Sequence, residues 1–225
     1  MARHLDLEEQ EQLDELKHFW NQWGNLITWL LIAVFGSFAA WNGWQYWQRN
    51  QAVKASVLHE EVERAAAGGD LGRLEQSLKD MRDRFGGTTY AQQSGLLAAR
   101  VFQEKGKPEA AQAALEAVAK DASDEGYQAV ARLRLAAMLV EAGKHDEALK
   151  QLSGELPGEF AALAADRRGD ILKLQGKKDE AKAEYTQAWK AFAPDTEYRA
   201  LVEVKLTALG VDVQALKAPA ESAKS

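Results

Sequence analysis

The chain has 225 residues and a formal charge of −6. That length allows one or two domains at about 100–200 residues each, and the acidic balance argues against nucleic-acid binding, which needs a basic face. Cysteine is absent, which excludes disulfides, thiolate metal sites and a cysteine nucleophile.

Residues 5–24 read as an amphipathic helix, with Leu5, Leu13, Leu16 and Trp20 at helical spacing and acids between them. Its negative charge disfavours anionic lipid, so a protein contact is expected of this arm rather than a lipid one. The next stretch changes character. From 18 to 48 there is no Asp, Glu, Lys or Arg, and 26–41 reads LITWLLIAVFGSFAAW. Continued to Trp47 it has 22 residues. As a helix this is about 33 Å long, enough for a hydrocarbon core of about 30 Å.

Six of the 7 tryptophans fall between 20 and 47. Trp20 and Trp23 stand at one end of the apolar run; Trp41, Trp44, Tyr46 and Trp47 stand at the other. Indoles favour the headgroup level, so the pattern gives two aromatic belts. A cleaved signal peptide is the rival reading, with Ser37 and Ala39 as its small residues. The long acidic lead-in DLEEQEQLDE speaks against it, because a signal peptide starts short and basic. An uncleaved anchor is therefore expected. Within it, Ala33, Gly36, Ala40 and Gly43 are spaced i, i+3, i+7, i+10, a small-residue stripe that suits close packing against another membrane helix.

After Arg49 the chain becomes Ala-rich, charged and helical in period. Gly69, Gly106, Gly143 and Gly176 punctuate it at spacings of 37, 37 and 33 residues. The words GKPEAAQAAL, GKHDEALKQL and GKKDEAKAEY follow the last three. This phase resembles the tetratricopeptide repeat, two antiparallel helices in about 34 residues with Gly at the turn. Ala111, Ala148 and Ala181 match its small position where the helices cross; Leu115, Leu152 and Tyr185 match the large residue one turn later. Gly169, Ala188 and Pro194 complete the best unit, and a divergent unit surrounds Gly69. Residues 195–211 should form a capping helix with Tyr198, Leu201, Val202, Leu206 and Leu209 as its apolar stripe. The expected fold class is all-α: a transmembrane helix followed by a tetratricopeptide-like α-solenoid. The expected divisions are an arm at 1–22, the span at 23–48, the repeats at 49–211 and a flexible tail at 212–225.

Chemistry is sparse. His59 and Glu63 at i, i+4 could share an ion, but zinc needs a third ligand that no nearby histidine supplies. An exposed charged face is the better reading of that segment. Asp166 and Asp170 read as charges decorating a helix around Gly169. No P-loop, G-x-G-x-x-G or G-x-S-x-G occurs. No catalytic residue, cofactor or metal is expected.

A stacked array presents the first helix of each repeat on its concave face. By phase, that groove takes Gln93, Leu96, Arg100 and Gln103, then Leu133, Ala137 and Val140, then Asp166, Asp170 and Lys173. Leu96 and Leu133 suit inter-repeat core equally well.

The order of parts is more specific than any one of them. EEQEQLDELKHFWNQWGN (8–25), GWQYWQRNQ (43–51), DEGYQAVARLRLA (124–136) and AADRRGDILKLQGKKDEAKAEY (164–185) together resemble the YfgM-like family, the ancillary subunits of the SecYEG translocon. The resemblance covers about residues 8–210. It implies an inner-membrane protein with a periplasmic repeat domain, in association with SecYEG and with the membrane-anchored chaperone PpiD. The implied role is handing exported clients to periplasmic chaperones, without catalysis. A repeat scaffold for another envelope assembly, such as cytochrome c maturation or cell division, is the alternative. Charge bias pulls the other way on topology. Lys17 and the more distant Arg3 precede the span, whereas Arg49, Lys54 and Arg64 follow it, a weak vote for cytoplasmic repeats.

Overall fold

The computed structural model describes residues 7–217, with side chains from Leu13 to Leu216. Leu5 of the expected amphipathic stripe and residues 218–225 of the expected tail lie outside them. Among the described residues every regular element is a helix. In chain order they are α1 (Leu7–Gly68), α2 (Leu71–Phe85), α3 (Thr89–Glu104), α4 (Pro108–Asp121), α5 (Glu125–Glu141), α6 (His145–Leu152), α7 (Gly158–Leu174), α8 (Lys178–Ala191), α9 (Glu197–Ala208) and α10 (Val213–Lys217). The chain forms two compact units, divided between Val53 and Lys54.

The first unit is helical throughout its described part. It is long and apolar enough to cross a membrane. Its large apolar side chains, from Leu26 through Trp47, are exposed, as a helix needs whose solvent is lipid rather than protein. Polar groups inside the run are satisfied locally. Thr28 and Ser37 donate to the carbonyls of Gly24 and Ala33, each at 2.7 Å, and Asn42 donates to that of Phe38 at 2.8 Å. Unsatisfied polar groups would each cost several kcal/mol in hydrocarbon; these i−4 bonds avoid that cost.

The second unit is a run of helix pairs: the end of α1 with α2, then α3/α4, α5/α6, α7/α8 and α9/α10. Each first helix stops at a glycine. Gly69, Gly106, Gly143, Gly176 and Gly210 all have φ between 68° and 79°, a region an L side chain enters only at a cost. At Gly143 the amide bonds Val140 O at 2.9 Å and the next amide, of Lys144, bonds Leu139 O at 2.8 Å. That pairing is the Schellman stop, which satisfies carbonyls left over at a helix end. The same pair of bonds recurs at Gly106, at Gly176 and at Gly210. Helix starts are written just as locally. The Asp70, Thr88 and Asp124 side chains accept from amides in the first turns of α2, α3 and α5, and Pro108 opens α4.

The small and large repeat positions both lie in the core. Ala111, Ala148, Ala181, Leu152 and Tyr185 have 0% exposure and Leu115 has 1%. Short side chains at the crossings let paired backbones approach; Leu and Tyr fill the space beyond them. One apolar cluster runs from Val62 to Ile171, and a second joins α7 and α8 to α9 and α10. Gly95 and Gly169 mark the closest approaches: a Cβ at Gly95 would lie 2.4 Å from Val118 Cγ2, and one at Gly169 would lie 2.6 Å from two ring carbons of Tyr185.

Two expectations change at the C-terminal end. Val202 and Leu206 are buried in α9, but Leu201 is 46% exposed. The expected stripe was too wide for one helix face, and Leu201 falls outside it. The chain also does not fray at Asp212. Val213, 8% exposed, joins the second cluster with Leu216 and gives α10 an apolar reason to sit on α9.

Candidate functional site

The phase of the repeats assigned ten positions to an inner groove, and the structure sorts them into three kinds. Gln93, Arg100, Gln103, Ala137 and Lys173 are exposed. Leu96, Leu133 and Val140 are half-buried and packed against the first apolar cluster, so these three act as inter-repeat core. Asp166 and Asp170 belong to a third arrangement.

Three of the exposed positions, Arg100, Gln103 and Ala137, meet at a cleft between α3, α4 and α5, whereas Gln93 and Lys173 lie outside it. Ala99, Leu115, Ala137 and Met138 form its floor, and Arg100, Gln103 and Arg134 stand at its rim. The expected set lacked Arg134. It sits three residues before Ala137, and its Nη1 lies 3.5 Å from Leu96 O. Arg100 reaches Glu104 at 3.7 Å with both side chains 64% exposed, a solvated pair worth under about 1 kcal/mol. Neighbouring repeats are tied across this face by polar side chains. Gln93 donates to the Tyr127 hydroxyl at 2.9 Å and Gln103 to Glu141 at 3.4 Å. The cleft thus offers an apolar floor with guanidiniums beside it on a rigid pair of helices, which is chemistry for holding a protein segment.

Asp166 does not line a free groove. Its side chain has 0% exposure, because α9 lies over it. Lys205 of α9 donates to both Asp166 oxygens at 2.7 and 2.9 Å and reaches Asp170 at 2.8 Å. The Tyr198 hydroxyl donates to Asp166 at 2.8 Å and the Tyr185 hydroxyl to Asp170 at 2.7 Å. Two carboxylates, one ammonium and two phenols form a closed network that fixes α9 to the last repeat. Asp166 does not decorate a surface: its carboxylate is desolvated and its partners offset that cost, while Asp170 stays 31% exposed at the edge of the network.

Burial, then the bond to Asp166, pushes the Tyr198 phenol up to about 12, and burial, then the bond to Asp170, raises Tyr185 as well. An unfolded tyrosine releases its proton near pH 10. Above that pH the unfolded chain holds fewer protons than the folded one, so stability falls as pH rises. Tyr198→Phe removes one of these sites. The variant should lose less stability than the parent between pH 10 and about pH 12, as read by urea titrations across that range.

His59 also departs from expectation. Its side chain is 13% exposed rather than on an open face. Nδ1 lies 2.8 Å from the Ser94 hydroxyl, Nε2 lies 3.5 Å from Glu63, and the ring sits 5.4 Å from that of Tyr90. Ser, His and Glu in a row suggest a nucleophile and its base. Ser94, however, has 0% exposure, so no substrate carbonyl can reach its oxygen. The set joins the end of α1 to α3. Among the described residues no group of three His, Asp or Glu side chains could hold a metal.

The membrane stripe is open. A Cβ at Gly36 or Gly43 would meet nothing within 4 Å, and Ala33 and Ala40 are exposed.

Comparison with known proteins places these features. The model of the tetratricopeptide repeat-like domain family matches residues 17–211, so the match takes in both the membrane run and the repeats. A protein of Neisseria gonorrhoeae named "Ancillary SecYEG translocon subunit" is 30% identical over 212 residues, covering 93% of this chain and 100% of its own. Proteins with the same name from Escherichia coli and Haemophilus influenzae are 30% and 31% identical, each over 81% of this chain and over 86% and 89% of their own.

Proposed function

The chain belongs to the YfgM-like family of ancillary SecYEG translocon subunits, and from that premise we propose that it is a non-enzymatic, membrane-anchored scaffold of the SecYEG translocon. The observation that carries this reading is the full-length match to a relative of that name, 100% of which is covered. A short name-match over the repeats alone would be weak, since many scaffolds share them; this one extends through the apolar run.

In this reading α1 anchors the chain in the inner membrane, with the acidic arm in the cytoplasm and the repeats in the periplasm. The small-residue stripe Ala33, Gly36, Ala40 and Gly43 meets a helix of the translocon. The inner cleft around Arg100, Arg134 and Ala137 holds a protein, either a PpiD-like chaperone or an exported client on its way to one.

Copurification from detergent-solubilised membranes tests the association. Tagged chain should recover SecYEG, and Gly36→Leu with Ala40→Leu should lower that recovery severalfold while the protein stays in the membrane fraction. Both positions are open, so the added side chains disturb no internal packing and act only on close helix approach. Recovery at the parent level would remove the stripe from the account; absence of SecYEG from the parent sample would remove the association itself. Orientation has its own test. Protease added to spheroplasts should digest residues 54–225. Protection of that segment until the inner membrane is broken would place it in the cytoplasm.

A further inference from the structure

We infer that the cleft between α3 and α5 selects partner segments in which one carboxylate side chain stands beside an apolar one. The inference rests on the reading of this face as a protein-binding groove and adds what the groove recognises.

Charge on the page argues for it. Among the described residues Arg134 has no ion pair, and its one hydrogen bond, to Leu96 O, is 3.5 Å long, at the limit for such a bond. A guanidinium carries five N–H donors in a planar fork matched to a carboxylate. Nearly all of that capacity is unused at Arg134. Arg100 stands at the same rim, and its exposed contact with Glu104 at 3.7 Å exchanges readily for a better-placed acid. Two such cations side by side stand against the sign of a chain with net charge −6. Long-range attraction therefore does not bring an acidic partner here; only short-range contact can hold it.

The floor sets the second requirement. Ala99, Leu115, Ala137 and Met138 present apolar atoms between the two arginines, and Ala137 is the small residue that leaves the cleft open. A purely acidic segment would be repelled by the chain's net charge and leave this floor wet. A purely apolar one would leave Arg134 unpaired. A carboxylate next to a Leu or Met side chain meets both terms.

Direction follows from what lies further along the helices. Glu104 and Glu141 end α3 and α5, and Glu141 is seven residues beyond Arg134, about 10 Å along a helix. The two arginines line the cleft itself, and the two acids stand beyond it at the ends of α3 and α5. A bound segment places its acid at the Arg134 end, and a base two or three residues away would reach the Glu141 end.

Fluorescence anisotropy on the full chain in lipid nanodiscs tests this with labelled peptides GSELMSG, GSQLMSG and GSKLMSG. The Glu peptide should bind at least about tenfold more tightly than the other two, as expected for a charge-assisted bond. Arg134→Gln should abolish the preference, and Ala137→Glu should abolish binding. Both side chains are exposed, so each variant should keep the parent's helical circular dichroism. Equal affinity for the three peptides, with loss on Ala137→Glu, would overturn the selectivity and leave the groove in place. Absence of binding by every peptide, or binding indifferent to both variants, would overturn the selectivity and the groove together.

Discussion

Lys205→Met should lower stability by about 3 kcal/mol, the cost of leaving a buried carboxylate without its cation. Asp166 has 0% exposure and Lys205 17%, so water cannot replace the lost ammonium without opening the α7–α9 joint. The magnitude separates this network from the surface pairs. Lys182 and Asp179 form a pair in which the acid is 97% exposed, and Lys182→Met should change stability by less than about 0.5 kcal/mol. For a chain of this size, 3 kcal/mol is about 6–12 °C in Tm. Thermal circular dichroism in detergent micelles reads the two variants side by side, and hydrogen exchange should show protection lost first in α9 and α10. Equal, small effects from both substitutions would mean that α9 is held by Val202 and Leu206 alone.

Gly169→Ala should also destabilise, by up to about 2 kcal/mol net. Alanine gains about 1 kcal/mol in a helix interior, but the new methyl would stand 2.6 Å from the Tyr185 ring. That ring cannot swing aside, because it has 0% exposure and its hydroxyl is tied to Asp170 at 2.7 Å. Forcing extra volume into such a site costs about 1–3 kcal/mol, which outweighs the helix gain. Gly158→Ala is the control. Nothing stands within 4 Å of a Cβ there, and that variant should be as stable as the parent or slightly more so.

These two sites show which parts of the molecule are legible in the sequence. Helix stops are local: a glycine after an apolar-periodic helix needs nothing else to announce itself. Gly106, Gly143 and Gly176 fixed the repeat phase, and Gly210, 34 residues beyond Gly176, continues the series and was open to the same search. The core positions Ala111, Ala148 and Ala181 followed from that phase. Most polar partners did not, because their bonds cross from one repeat to the next. His59 meets Ser94 at a separation of 35 residues, Asp166 meets Tyr198 at 32 and Lys205 at 39. Asp166 has groove phase, and only the presence of Lys205 on the following helix turns it inward. Separations near one repeat length are the signal that could have found these pairs. Leu201 was misplaced for a related reason. An apolar residue at the edge of a stripe is buried only if a neighbouring element reaches it, and Leu201 stays 46% exposed. Arg134 was passed over because a cation on a charged helix has no mark of its own; its unpaired state is a fact of the fold.

If the proposed function holds, a protein partner lies in the inner cleft. Site-specific photocrosslinking in intact cells tests it most directly, with the reactive group placed at Ala137 on the cleft floor and, separately, at Glu116 on the exposed side of α4. The predicted result is a discrete protein adduct from position 137, absent at 116 and lost when Arg134→Gln is combined with the probe. Adducts from position 116 with none from 137 would contradict the claim and move the partner to the outer face of the array.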